Sequence, residues 1–128
     1  MTETAAGVGR FALLVIDCPD APALGNFYAA LLGVGVKDAH PRWVTLEGEP
    51  PGSTALAFQG VDDYVPPQWP DQAHPQQMHI DVDVTDFTTA EARALELGAT
   101  VASDVHGKDA PWRTYLDPAG HPFCLVTV

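Results

Sequence analysis

Positive charge is scarce in this chain. Six lysines and arginines stand against 17 aspartates and glutamates, giving a formal net charge of −11 over 128 residues. The six are scattered, and a polyanion needs a clustered basic face, so neither a nucleic acid nor an anionic membrane surface is expected as a partner. Long apolar runs are absent too: none approaches the roughly 20 residues that span a bilayer. The stretch Met1 to Gly9 lacks a basic segment followed by an apolar core, so it reads as a short frayed tail and not as a signal peptide. Cysteine is represented only by Cys18 and Cys124, which form no spaced framework. They read as reduced thiols, which points to a cytoplasmic protein. The acidity itself serves solubility first; its sharper consequence is attraction of a cationic ligand.

What is present is a repeat. Leu13 to Asp20 is followed by a helical stretch ending at Gly33, and His79 to Asp86 by another ending at Gly98. Asp20 matches Asp86, Gly33 matches Gly98 and Val36 matches Val101, with a drift of about one residue. In each half a strand ends at Asp, a helix follows and glycine stops it. Asp20 can cap a helix whose first turn holds Pro22, where proline loses no hydrogen bond. Leu24, Phe27, Tyr28 and Leu31 then form one apolar face. In the second half Asp86 or Thr88 is the cap, Glu91 can close a capping box with Thr88, and Phe87, Ala90, Ala94 and Leu97 make the buried stripe.

The remaining strands are expected at Phe11 to Ile16 (continuously apolar, hence covered on both faces), Arg42 to Glu47, Thr54 to Gln59, Met78 to Val84, Val101 to Val105, Trp112 to Leu116 and Pro122 to Val128. The turn Asp117-Pro118-Ala119-Gly120 joins the last two. Between the halves, Pro66, Pro67, Pro70 and Pro75 make residues 61–76 a stiff linker. The expected organisation is α+β and a single domain over 10–128, with one module at 10–60 and the other at 77–128. Neither module buries enough surface alone. Paired, they form one cupped sheet with the helices outside.

The ordered landmarks Phe27-Tyr28, Leu31-Leu32-Gly33, His79-Ile80 and Asp117-Pro118-Ala119-Gly120 carry a resemblance. With Phe58-Gln59, Tyr64 to Pro67, Trp69-Pro70, Pro75 to Gln77 and Gly120 to Val126, the chain resembles the glyoxalase/bleomycin-resistance (vicinal oxygen chelate) superfamily, in its glyoxalase-like branch. The resemblance implies two βαβββ modules, a homodimer, and a metal in the cup held by one residue from each of four strands, acting as a Lewis acid. Carried over position by position, the ligands fall on Phe11, on Ala57 or Gln59, on His79 and on Cys124. One good ligand survives, with a thiol as a second, so a divalent metal is disfavoured and no cofactor is assigned.

The candidate site residues follow from strand alternation and from the needs of a cavity. His79 is the leading one: an imidazole that titrates near neutrality serves as acid, base or donor, or else it simply bonds to Asp81. Asp81 and Asp83 share its face. Cys124 is either a thiol facing the cup or a small buried apolar residue. Phe11, Trp43, Phe58, Trp112 and Tyr115, with Gln59, are the proposed ligand-contacting walls. His40, His74, His106 and His121 lie in loops without ligand spacing. Three functions compete: a protein that binds a small organic molecule in the cup over a degenerate metal site; a lyase or isomerase using His79, with or without a divalent metal; and an interaction module with a filled cup.

Overall fold

β1 (Leu13–Cys18) runs into α1 (Ala21–Leu32), then β2 (Val36–His40), β3 (Trp43–Leu46) and β4 (Ala55–Gly60). The same order returns as β5 (Ile80–Val84), α2 (Phe87–Leu97), β6 (Thr100–Val101), β7 (Trp112–Leu116) and β8 (Pro122–Thr127). This computed structural model describes residues 11–76, 79–102 and 110–127. The tail Met1 to Gly9, most of the expected strand Val101 to Val105, and His106 lie outside the described residues. Among the described residues no helix is long and apolar enough to cross a membrane.

The strands form two four-stranded sheets, ordered β1-β4-β3-β2 and β5-β8-β7-β6. In each, the first and last strands of the half pair in parallel, Leu13 opposite Ala55 and Ile80 opposite Phe123. The other pairs are antiparallel. The architecture is therefore the α+β, twice-βαβββ arrangement that the repeat implied. One expectation changes. β1 begins two residues later than Phe11 and is covered on one face only: Leu13, Val15 and Asp17 are exposed, whereas Cys18 is fully buried. Its apolar run includes Leu13 and Val15 on a second face that the helices leave open.

The helix boundaries follow their capping chemistry. The Asp20 carboxylate accepts from the Ala23 amide at 3.1 Å, with Pro22 in the first turn. The Asp86 carboxylate accepts from the Thr88 and Thr89 amides and from Thr89 Oγ1. These three bonds hold Asp86 below the ordinary carboxylate range, with the Thr89 hydroxyl first among the causes. The cap of α2 is thus Asp86 and not Thr88. The Glu91 carboxylate, expected in a capping box, instead accepts from Tyr115 Oη at 3.0 Å, because β7 lies within reach. Both helices stop at left-handed glycines, Gly33 and Gly98.

The core is shared between the halves through α1. Tyr28 stacks on Phe58 of β4 at 5.5 Å and meets Phe123 of β8 edge-on at 6.2 Å. Tyr115 of β7 in turn stacks on Phe123 at 5.7 Å. Each such fully buried side chain contributes about 1.5–3 kcal/mol. α2 is less deeply set, with Ala94 its one fully buried residue.

Polar bonds tie the same three parts together. Asp117, 4% exposed, follows β7, and its carboxylate accepts from Tyr28 Oη of α1 at 2.7 Å. It also accepts from the Ala119 and His121 amides at 2.8 and 3.0 Å and from His121 Nδ1 at 2.9 Å. A buried carboxylate is tolerated only when its lone pairs are filled in this way. Tyr64 of the linker closes the group: its hydroxyl donates to Ala119 O at 2.9 Å and lies 3.0 Å from His121 Nε2. Gly120 has φ +92°, and a Cβ there would stand 3.0 Å from Pro66 Cβ, so this turn needs glycine both for its dihedral and for the approach of the linker. Tyr28→Phe removes one donor to the buried charge while keeping the ring. We expect it to lower stability by about 1.5–3 kcal/mol, to be read as a shift in the midpoint of urea unfolding followed by circular dichroism.

Candidate functional site

Alternation along the strands sorts side chains onto two faces. Ile16, Phe58, Ile80, Val82, Tyr115, Phe123 and Leu125 turn toward the helices and belong to the core or pack against it. Leu13, Val15, Asp17, Ala57 and Gln59 of the first sheet turn the other way, as do His79, Asp81, Asp83, Cys124, Thr114 and Trp112 of the second.

This sorting redistributes the residues proposed from sequence. Phe58 and Tyr115, expected as cavity walls, are fully buried under the helices. They sit on the alternate parity of their strands, where bulky apolar side chains have the whole core to fill. Phe11 precedes β1 and is 65% exposed. The parallel registers make Leu13, not Phe11, the counterpart of His79 in the first half, and Ala57 the counterpart of Cys124. Trp43 is half-buried and spends its indole N–H on Thr45 Oγ1 at 2.8 Å. Gln59 and Trp112 are exposed on the face turned away from the helices.

Three of the proposed residues do come together. His79 Nε2 lies 3.2 Å from Asp81 Oδ1, both side chains about half exposed. Cys124 stands directly opposite Asp81 on β8, with Thr114 Oγ1 at 3.4 Å from its sulfur. One ligand atom from each of His79, Asp81 and Cys124 lies within 4.8 Å of the other two. Burial, and then the Asp81 carboxylate, push the Cys124 thiol up; Thr114 opposes them. The sulfur is therefore held as a thiol, which is a poor nucleophile.

The same group is the place to test the metal that the resemblance implies. The four-strand arrangement does not fit, because its first-half positions carry Leu13 and Ala57, which have no donor atoms. The second half alone offers nitrogen, oxygen and sulfur. Bonds of 2.0–2.3 Å in a tetrahedral zinc site place donor atoms roughly 3.3–3.8 Å apart. The present donor atoms lie within 4.8 Å of one another, up to about 1 Å wider than that, so the side chains would close in on an ion, and three protein ligands leave one position open.

Beside this group lies a hollow of about 720 Å³ along the seam between β1 and β5, the edge strands of the two sheets. Val15 and Asp17 of β1 form one side, His79 and Ile80 the other. The linker roofs it with Asp63, Tyr64 and Pro66, and the β7–β8 turn contributes His121. Val61 N–H bonds to Cys18 O at 2.9 Å and Gln68 N–H to His74 O at 2.7 Å, so the roof is fixed to β1 and folded on itself. His79 is thus the one proposed residue that reaches both the donor group and the hollow.

Sequence reasoning passed over the polar residues of this hollow. His121 was set aside as a turn residue, yet Asp117 fixes its ring. Its side chain is 19% exposed, and Nε2 points at Tyr64 Oη. The only local signal was the four-residue spacing of Asp117 and His121. Burial first, and then the charges of Asp117 and Asp17 among others, push the Tyr64 phenol up, so Tyr64 stays a hydrogen-bond donor.

Against this geometry, the sequence profile of the glyoxalase-like domain matches residues 13–126. The chain belongs to the glyoxalase-like domain family. Its fold is that of the glyoxalase/bleomycin-resistance superfamily. It is similar to a glyoxalase/bleomycin resistance protein/dioxygenase family enzyme from Burkholderia phytofirmans, with a TM-score of 0.67 at 16% identity, covering 94% of this chain and 99% of the other. A glyoxalase-related enzyme from Fulvimarina pelagi gives 0.66 at 17%, covering 94% and 89%. A glyoxalase/bleomycin resistance protein from Albidiferax ferrireducens gives 0.63 at 15%, covering 92% and 98%. At these identities the likeness is one of fold. No curated protein sequence matches the chain.

The environment of Cys124 makes a direct prediction for this glyoxalase-like protein. Alkylation by iodoacetamide at pH 8, followed by intact-mass spectrometry, is expected to be slower at Cys124 than for free cysteine. Asp81→Asn should accelerate it by removing a neighbouring negative charge.

Proposed function

We propose that this protein binds a small organic molecule in the hollow between β1 and β5. The observation that carries the reading is the cavity itself. Its volume of about 720 Å³ lies in the range of small-molecule sites, and its walls are mostly apolar with a few placed polar groups. The linker supports the reading as well, because it lies across the seam as a roof, bonded to β1 through Val61 and to the β7–β8 turn through Tyr64. Within the cavity, Val15, Ile80 and Pro66 supply apolar contact, while Tyr64 and His121 supply polar recognition. Ligand-observed NMR with a fragment library, followed by amide shift mapping, is the test. Hits should move the amides of residues 15–17 and 61–65, and Val15→Trp, which fills the space from an exposed position, should abolish them. Hits that map elsewhere, or that survive Val15→Trp, would refute the assignment.

A second reading is favoured by the group His79, Asp81 and Cys124. Those side chains would hold a borderline cation such as zinc from one side of the cup, where the ion would supply Lewis acidity toward an oxygen of a bound ligand. His79 would be fixed in orientation, and Cys124 would give up its proton on binding. Metal analysis of protein purified without chelator is expected to find up to one equivalent of zinc, and Cys124→Ser or His79→Ala should lose most of it. Metal-free protein that also fails to bind added zinc in titration would leave this group as a hydrogen-bonded surface cluster.

A further inference from the structure

We propose that the seam cavity takes an organic cation, a protonated amine or a quaternary ammonium carried on an apolar body. The proposal rests on the cavity being a ligand site and adds the chemical class of its ligand.

Charge is the first argument. Asp17 enters from β1 and Asp63 from the linker roof, while no lysine or arginine is among the described residues that line the space. The other basic groups there are the imidazoles of His74, His79 and His121, so no permanently charged side chain offsets a carboxylate or phosphate ligand. Arg42, which reaches the start of the linker, is committed to Asp62 at 3.1 Å and to Gly60 O at 3.0 Å. Behind the wall sits the buried carboxylate of Asp117, whose charge is felt at Tyr64 together with that of Asp17.

The acceptors are the second argument. Gln76 lines the cavity, and its Oε1 is sealed from solvent with no hydrogen-bond partner. A buried acceptor without a partner costs about 1–3 kcal/mol, and the N–H of a protonated amine, or more weakly an N-methyl C–H of a quaternary ammonium, would relieve it. The Tyr64 hydroxyl is held between Ala119 O and His121 Nε2, so its ring is what it offers to a guest. An aromatic face beside carboxylates is the usual setting for an ammonium group.

Backbone conformation is the third. Asp63 has φ +55° and is the one non-glycine residue with positive φ among those described. Such a conformation is uncommon outside glycine, asparagine and aspartate, and here it belongs to a cavity-lining carboxylate.

A bare metal ion does not answer this description. Among the described residues, the one group of three or more donors close enough to hold an ion is His79, Asp81 and Cys124, and it includes neither Asp17 nor Asp63. The negative charge of the cavity belongs to a large, mostly apolar space, which matches a diffuse organic charge.

The test is a titration of ¹⁵N-labelled protein at pH 8 with three probes of similar size: benzyltrimethylammonium, its uncharged carbon isostere neopentylbenzene, and phenylacetate. We expect the ammonium to move the amides of Asp17, Asp63 and Tyr64 and to bind about tenfold or more tightly than either other probe. Asp17→Asn with Asp63→Asn should remove about tenfold of that affinity. Both carboxylates are exposed, and asparagine tolerates the left-handed conformation at 63, so the variant keeps its fold. If the isostere or phenylacetate binds the cavity as well as the ammonium does, or if the double variant binds it unchanged, the cation assignment falls while the cavity reading stands. If none of the three moves cavity amides, both fall.

Discussion

The constraint on which the rest of the structure depends is the solvation of one carboxylate. Asp117 lies where water does not reach, between a helix of the first half and a turn of the second. Its two oxygens take a phenol from α1, two amides of its own turn and an imidazole nitrogen. The imidazole carries the connection on to Tyr64 and so to the linker. Leaving that charge without partners would cost several kcal/mol, so these bonds form together, and the halves, their connection and the cavity roof are fixed relative to one another. The apolar contacts of Tyr28 with Phe58 and Phe123 lie at the same place. Polar and apolar interactions thus specify the same docking of one half on the other.

Within that frame the two halves share a backbone and differ in their open faces. The repeat that sets strand, cap, helix and stop places Leu13 and Ala57 in one half where the other has His79 and Cys124. The three-donor group is therefore confined to the second half, while the first contributes apolar surface with the Asp17 carboxylate and the Gln59 amide. The hollow at the seam inherits this asymmetry. The linker adds the polar groups of its roof, which belong to neither copy of the repeat.

Much of the fold was legible because its signals are local. An aspartate that caps, a glycine that takes a left-handed dihedral and an alternation of period two each act within a few residues. Strand and helix positions consequently agree within two residues for most elements, and Trp112–Leu116 agrees at both ends. Where local reasoning slipped, a distant partner had competed. Glu91 left its expected capping box for Tyr115, and β1 read as covered on both faces although one of them is exposed.

The sequence by itself determined the duplicated βαβββ plan, the family, and a strand face that carries His79 and Asp81. It determined these because spacing along one strand dictates which side chains share a face. The pairing of β5 with β8 set Cys124 opposite Asp81. Tertiary structure alone decided that Phe58 and Tyr115 fill the core and that a cavity opens between β1 and β5. It also decided that Asp17, Asp63, Tyr64 and His121 meet around that cavity. Those residues come from a strand, a linker and a turn, and what brings them together is the docking of two halves around a buried charge, which no periodicity along the chain records.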